Sequence, residues 1–190
     1  MSELKAPEPV KLLVSCLAPE PVLIAAALVA LSNLHGGIDF VSAVLPFEET
    51  QYYAREMGSG LKRRFASFAP LIDPGSLPDI KHSTNALEGR FAVGGARRVN
   101  IDPGYLSPAH LILATGKGYS HRPYLRDGVY ADLTLLYERG TFRACPWTYP
   151  DYTRPEVIAM FNILRKRYLL QRRLCQRQLS AGQAQGREAS

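Results

Sequence analysis

Three short stretches of the chain place polar groups at alternate positions, a spacing that can do chemistry. In NIDPGYL (Asn100–Leu106), reached through Arg97, Arg98 and Val99, the apolar Val99 and Ile101 alternate with Arg98, Asn100 and Asp102. Successive side chains of a strand point to opposite faces, so a register that buries Val99 and Ile101 gathers Arg98, Asn100 and Asp102 on the other side. The same alternation turns Ser120, Arg122 and Tyr124 of YSHRPYL outward, and Tyr130, Asp132 and Thr134 of VYADLTLLY. Guanidinium, amide, carboxylate and phenol groups on one face can hold a polar anion by charge-assisted hydrogen bonds and stacking. The expected ligand-binding set is therefore Arg98, Asn100, Asp102, Ser120, Arg122, Tyr124, Tyr130 and Asp132, with Asp102 and His121 as candidate catalytic groups. Against it stands the fact that the solvated face of an antiparallel sheet is polar by default.

The elements that must position these residues can be read in order. VKLLVSCL (Val10–Leu17) predicts a buried strand, and Pro19–Leu34, with a proline at its start and Gly36 and Gly37 beyond its end, predicts a helix. IDFVSAVLPF and LKRRFASF predict the second and third strands, joined by FEETQYYAREMGSG, too long for a tight hairpin and suited to a functional connection or an arm. Ile80, Ala86, Leu87 and Phe91 fall at helical spacing up to Gly94 and Gly95, and RRVNID is a fourth strand expected to break at Pro103 and Gly104. The order β-α-β-β-α-β predicts an α+β fold with a ferredoxin-like split βαβ core, both helices on one face and the other face open. SPAHLILAT then predicts a short helix, YSHRPYL a strand, and VYADLTLLY with TFRAC a hairpin about Glu138, Arg139 and Gly140, enlarging the antiparallel sheet. From Pro155 a carboxy-terminal helix presents Val157, Met160, Phe161, Leu164 and Tyr168 to the core. The expected organisation is one domain over residues 1–168, then a basic helical extension and a disordered tail over 169–190.

Composition narrows the class. A hydrophobic content of 46% in 190 residues suffices for one sizeable core. Cys16, Cys145 and Cys175 are odd in number, with no CxxC spacing, which predicts neither disulfides nor a zinc site and points to a reducing cytoplasm. The start, MSELKAPEP, lacks the pattern of a signal peptide, and the longest apolar run, Val22–Leu31, is too short to span a bilayer, so no membrane partner is expected. The net charge of +6 is local: residues 161–190 hold seven Lys/Arg and one acid, while residues 1–160 hold 16 of each sign. Any attraction to RNA or an acidic protein therefore belongs to the carboxy-terminal helix.

Individual motifs add alternatives. His82 in KHST superficially matches the His-x-Thr/Ser of two-histidine phosphoesterases, but lies in a predicted helix and lacks a second copy, since SHRPYL offers no Ser or Thr two residues after His121. His121 can serve as a general base or phosphate ligand, or simply be a half-buried strand residue; His35 and His110 read as structural. No metal ligand set is assigned; Asp102, Asp132 and His121 could converge only if their strands are neighbours. The cations of KRR (Lys62–Arg64) and of Arg97 with Arg98 read as a solvated edge or a shared phosphate site. PWTYPDY reads as a rigid strap over the core, or as the rim of a cleft through Tyr149 and Asp151.

Four segments in order, GLKRRFASF, RRVNIDPGYL, KGYSHRPYL and PWTYPDY, resemble the bacterial domain-of-unknown-function family 4416 over most of residues 8–168. Some members carry the label GTP-binding protein, so the resemblance implies a nucleotide such as GTP among the ligands. The chain has no G-x-x-x-x-G-K-[ST], and neither ATGKGYSH nor MGSGLKRR sits between a strand and a helix, so a nucleotide would bind on the open sheet without a P-loop. The leading expectation is a module that binds a phosphorylated small molecule, with Arg98 and Arg122 on phosphate and Asn100 and Asp102 orienting the sugar, base or a Mg²⁺ ion. The alternatives are a noncatalytic RNA- or protein-interaction module and a metal-assisted phosphoester hydrolase.

Overall fold

The computed structural model of the protein describes residues 1, 3–48 and 54–188, with side chains 54, 55 and 179–188 outside that description. Its centre is β1 (Val10–Ala18), whose nine residues are all buried. An all-buried strand must be covered on both faces, and this one is. Around it the described residues form a nine-stranded sheet in which every pairing is antiparallel. On one side of β1 lies β4 (Lys62–Ile72), edged by β2 (Ile38–Val41) and the short β3 (Leu45–Pro46). On the other side follow β5 (Asn100–Leu106), β6 (His110–Thr115) and β8 (Val129–Glu138), with β7 (Tyr124–Arg126) and β9 (Thr141–Ala144) sharing the outer edge of β8. The fold is thus α+β, built on a large antiparallel sheet, as the element pattern predicted.

The two faces have different cores. Alternate residues of β1, Leu12, Val14 and Cys16, pack with Phe68 and Ile101 under α1 (Pro21–His35) and α3 (Leu77–Arg90). The intervening Leu13 joins Phe65, Leu106, Leu111 and Leu135 under Val157, Phe161, Leu164 and Tyr168 of α4 (Pro155–Glu188). The expectation of an open second face is corrected here: the apolar stripe of α4 docks on that face and leaves only part of it uncovered. Part of the basic segment serves the same docking. Arg165 donates to Pro108 O at 2.7 Å and lies over the Tyr137 ring, Arg172 pairs with Glu8 at 3.2 Å, and Gln171 accepts from the buried Lys11 at 2.7 Å. Lys11 also reaches Asp39 and Phe68 O, so its buried ammonium is fully satisfied.

Three further expectations change. SPAHLILAT is not a helix: Ser107 Oγ accepts from the His110 amide at 2.9 Å to close a turn, and His110–Thr115 is a strand. Leu111 and Leu113 face α4 while Ile112 and Ala114 face α3, so burial on both sides produced an unbroken apolar run that periodicity cannot tell from a helix. YSHRPYL is strand only from Tyr124; before it, the Arg122 amide bonds Tyr119 O at 2.9 Å in a turn. The strand of NIDPGYL does not break at Pro103, for its pairing with β1 runs from Asn100 to Leu106. The connection after Phe47 ends in a single turn, α2 (Ala54–Met57), and its residues 49–53 lie outside the described residues.

What Pro103 and Gly104 do instead is end a ladder. β5 pairs with β6 only over Gly104–Leu106, although β6 continues two residues past Leu113, the partner of Gly104. A Cβ added to Gly104 would lie 2.3 Å from Ile112 O and 2.7 Å from Leu113 Cδ2, so only glycine permits this approach. Gly104→Ala is therefore expected to lose about 2–3 kcal/mol or more, because the obstructing atom is backbone. Urea unfolding midpoints of the two proteins measure it.

Candidate functional site

Beyond Gly104 the strands part. Ile101 directs its backbone groups toward the side that β6 has left, and side chains of α3 take the place of the missing strand: Glu88 accepts from the Ile101 amide at 2.6 Å and Lys81 donates to Ile101 O at 3.2 Å. Pro103, two residues along, directs its backbone the same way and has no N–H to satisfy. The gap leads to a cavity of about 740 Å³ on the face that α4 leaves uncovered, lined from β4, α3, β5, the segment after β6 and the PWTYPDY strap.

Three ion-pair systems build its walls. At the first, Lys81 Nζ stands 3.7 Å from Asp102 Oδ1, while Asn100 donates to Asp102 Oδ2 at 2.7 Å and accepts from Arg97 at 3.1 Å. Arg97 is clamped in turn by both carboxylate oxygens of Glu56, at 2.8 and 2.7 Å, and reaches Glu88 at 3.3 Å. The hydrogen bonds to Glu56 and the nearby Glu88 push the Arg97 pKa up, so it stays a cation. Burial pushes the Glu88 carboxyl up, with Asp102 adding to the rise, against the Ile101 amide, Lys81 and Arg97.

The second system is Arg122, almost fully buried at 9% exposure. Its Nε donates to Asp132 at 2.8 Å, Nη1 to Lys117 O at 3.1 Å and Nη2 to the Tyr149 hydroxyl at 2.8 Å. Burial alone would lower its pKa, but Tyr149 and Asp132 raise it on balance. His121 stacks on Trp147 with centroids 4.9 Å apart, and its Nε2, 3.8 Å from Asp132, has no hydrogen-bond partner. The third system is Arg63, paired with Asp151 in a buried contact and lying over the rings of Phe47 and Tyr152. It ties the strap to β4, so the strap is both a cover for the core, through Tyr152, and the rim of the cleft, through Tyr149 and Asp151. Burial pushes the Tyr152 phenol well up and keeps it neutral.

Of the residues expected from sequence, the structure brings Asn100, Asp102, His121, Arg122 and Asp132 to this cavity. It places four elsewhere. Arg98 pairs with Glu20 at 3.0 Å outside the lining, because β5 begins only at Asn100 and alternation does not extend back to residue 98. Ser120 is exposed in the turn, Tyr124 packs edge-on against Tyr130, and neither tyrosine lines the cavity. In β8 a register shift opposite Leu111 and Ile112 puts Leu135 on the same face as Asp132, where strict alternation put it opposite. Trp147 and Thr148 take the bulge carbonyls Leu133 O and Thr134 O at 2.8 and 2.6 Å, which fixes the strap beside Arg122.

The unforeseen lining residues include Lys81, Lys117 and Thr115, whereas Arg63 and Arg97 read from sequence as a solvated edge or a shared phosphate site and Asp151 as a strap or a cleft rim, and the second reading of each is the one that fits its place here. One signal was present. Lys81, Thr84 and Glu88 fall at i, i+3 and i+7 on the face of α3 that carries Ile80 and Leu87, and all are buried. Polar residues on an apolar helix face require partners below it. The glycines of ATGKGYSH lie between two strands, β6 and β7, and not before a helix. Among the described residues no three His, Cys, Asp or Glu side chains cluster to hold a metal ion, and no helix is long and apolar enough to cross a membrane.

Fold and site together define an α+β protein whose antiparallel sheet opens into a charged, aromatic-rimmed cleft. The family model described as Domain of unknown function (DUF4416) matches residues 8–168, and the chain belongs to that family. No curated protein and no solved structure gives a significant match. The buried Arg63–Asp151 pair yields a direct check. Asp151→Ala leaves a guanidinium stranded and is expected to cost about 3–5 kcal/mol, while the double variant Arg63→Met/Asp151→Leu recovers most of that loss. Chemical denaturation of the three proteins reads the difference.

Proposed function

We propose that this protein binds a phosphorylated small molecule of nucleotide size in the cleft between β5 and β6. The observation that carries the reading is the convergence of Arg63, Lys81, Arg97, Lys117 and Arg122 on one cavity of about 740 Å³. That volume falls within the range usual for small-molecule sites, and cations held in place by carboxylates are preorganised to meet phosphate oxygens. Asp102, at 30% side-chain exposure, is far more open to the cavity than Asp132 or Asp151, at 4% and 7%. It is therefore the carboxylate suited to accept from a ligand hydroxyl or ring N–H.

A Mg²⁺ ion carried with the phosphates fits the same reading, since such ions take one or two protein carboxylates and complete their shell with phosphate oxygens and water. The ferredoxin-like description of the core belongs to the proposal too, supported by the strand order β2-β4-β1-β5 with α1 and α3 on one face. So does a reducing, cytoplasmic setting, supported by three free cysteines. The reading as an RNA- or acidic-protein-binding module has narrower support in the exposed Lys166, Arg167, Arg173 and Arg177 of α4.

Thermal unfolding in the presence of millimolar ATP, GTP or pyrophosphate tests the binding. Occupancy at a hundred times Kd adds about 2.7 kcal/mol to the folded state, so the wild-type Tm should rise by several degrees. Lys81→Ala should lose most of that rise and Arg98→Ala should keep it. A wild-type Tm unmoved by all three compounds contradicts the proposal.

A further inference from the structure

We infer that the ligand carries a planar heteroaromatic ring of the nucleobase type, which stacks against Tyr119 and Tyr149 at the Arg122 end of the cleft. The inference rests on the proposed phosphate-binding reading of the same cleft and specifies which phosphorylated compounds belong there. The two ends of the cavity differ in chemistry. Around Asp102 the lining is Lys81, Arg97 and Asn100, all charged or amide groups; around Arg122 it adds the rings of Tyr119, His121 and Tyr149 to the charged Lys117 and Asp132. Tyr119 and Tyr149 line the cavity yet remain 68% and 47% exposed.

Both rings are held by one buried cation. The Arg122 guanidinium lies 5.1 Å from the centroid of the Tyr119 ring and donates to the Tyr149 hydroxyl at 2.8 Å. Asp132 and the Lys117 carbonyl fix the guanidinium from behind, and the stacked His121–Trp147 pair continues the layer, with Tyr119 and His121 centroids 5.8 Å apart. Burying an ion pair costs desolvation, which its own attraction and the hydrogen bonds around it must offset. Here the guanidinium also contacts two tyrosines that remain largely exposed. Exposed tyrosine rings beside a fixed cation stack flat π-systems, without regard to which base is presented. A sugar phosphate has no π-system to stack there.

Isothermal titration with ATP, GTP, ribose 5-phosphate and pyrophosphate separates the two levels of the argument. The nucleotides should bind about ten-fold or more tighter than ribose 5-phosphate. Tyr119→Ala should remove most of that advantage while leaving the affinity for pyrophosphate unchanged, and Tyr119→Phe should restore it. Ribose 5-phosphate binding as tightly as ATP and GTP, or nucleotide affinity indifferent to both Tyr119→Ala and Tyr149→Ala, overturns the inference and leaves the phosphate reading standing. Binding of none of the four compounds overturns both.

Discussion

Close packing of Gly104 against the Ile112 carbonyl holds β5 and β6 together for three residues, and the absence of an N–H at Pro103 lets them separate immediately beyond. A sheet of this size normally closes over its own backbone groups. Here the lost ladder is replaced by two side chains from α3, a lysine for the Ile101 carbonyl and a glutamate for its amide. That substitution brings charge into the middle of the sheet, where Lys81 meets Asp102. The cleft is thus a consequence of strand chemistry at one point and not of a long loop or a domain boundary.

The same face of the sheet serves two purposes side by side. Where Leu13, Phe65, Leu106, Leu111 and Leu135 are exposed by the pleat, α4 covers them. Where Asp102 and Asp132 occupy equivalent positions, no helix can cover them without stranding charge, and each acid is instead matched by a cation brought from elsewhere. Removing either acid leaves a buried cation, Lys81 or Arg122, whereas the net contribution of the pairs to folding is small. Polar groups retained at such a cost around a cavity fit recognition better than stability.

Much of this architecture was legible in the sequence, and the failures have identifiable causes. VKLLVSCL, the helix after Pro19, α3 and the Arg139–Gly140 hairpin, where both turn residues have positive φ, were readable because local pattern and tertiary role agree. HLILAT was misread because a strand buried on both faces has no alternation to display. The β8 bulge reversed the face of Leu135, and the true start of β5 removed Arg98 from the site, both errors of extending period two past its limits. Asn100, Asp102 and Asp132 were found because their strands do alternate locally. Arg63 and Arg97 were seen only as an edge or a shared phosphate site, since their positions depend on partners, Asp151 and Glu56, that lie far away along the chain.

If the gap between β5 and β6 is a ligand site, a bound nucleotide must touch the residues that line it. Backbone amide NMR during titration with ATP tests it most directly, because every segment lining the gap carries its own reporters. The amide resonances of Ile101, Asp102, Thr115–Arg122, Tyr149 and Asp151 are expected to move together and saturate, while those of α1 and of α4 beyond Tyr168 stay in place. Saturable shifts confined to α1 or α4, with the gap residues unmoved, would contradict it.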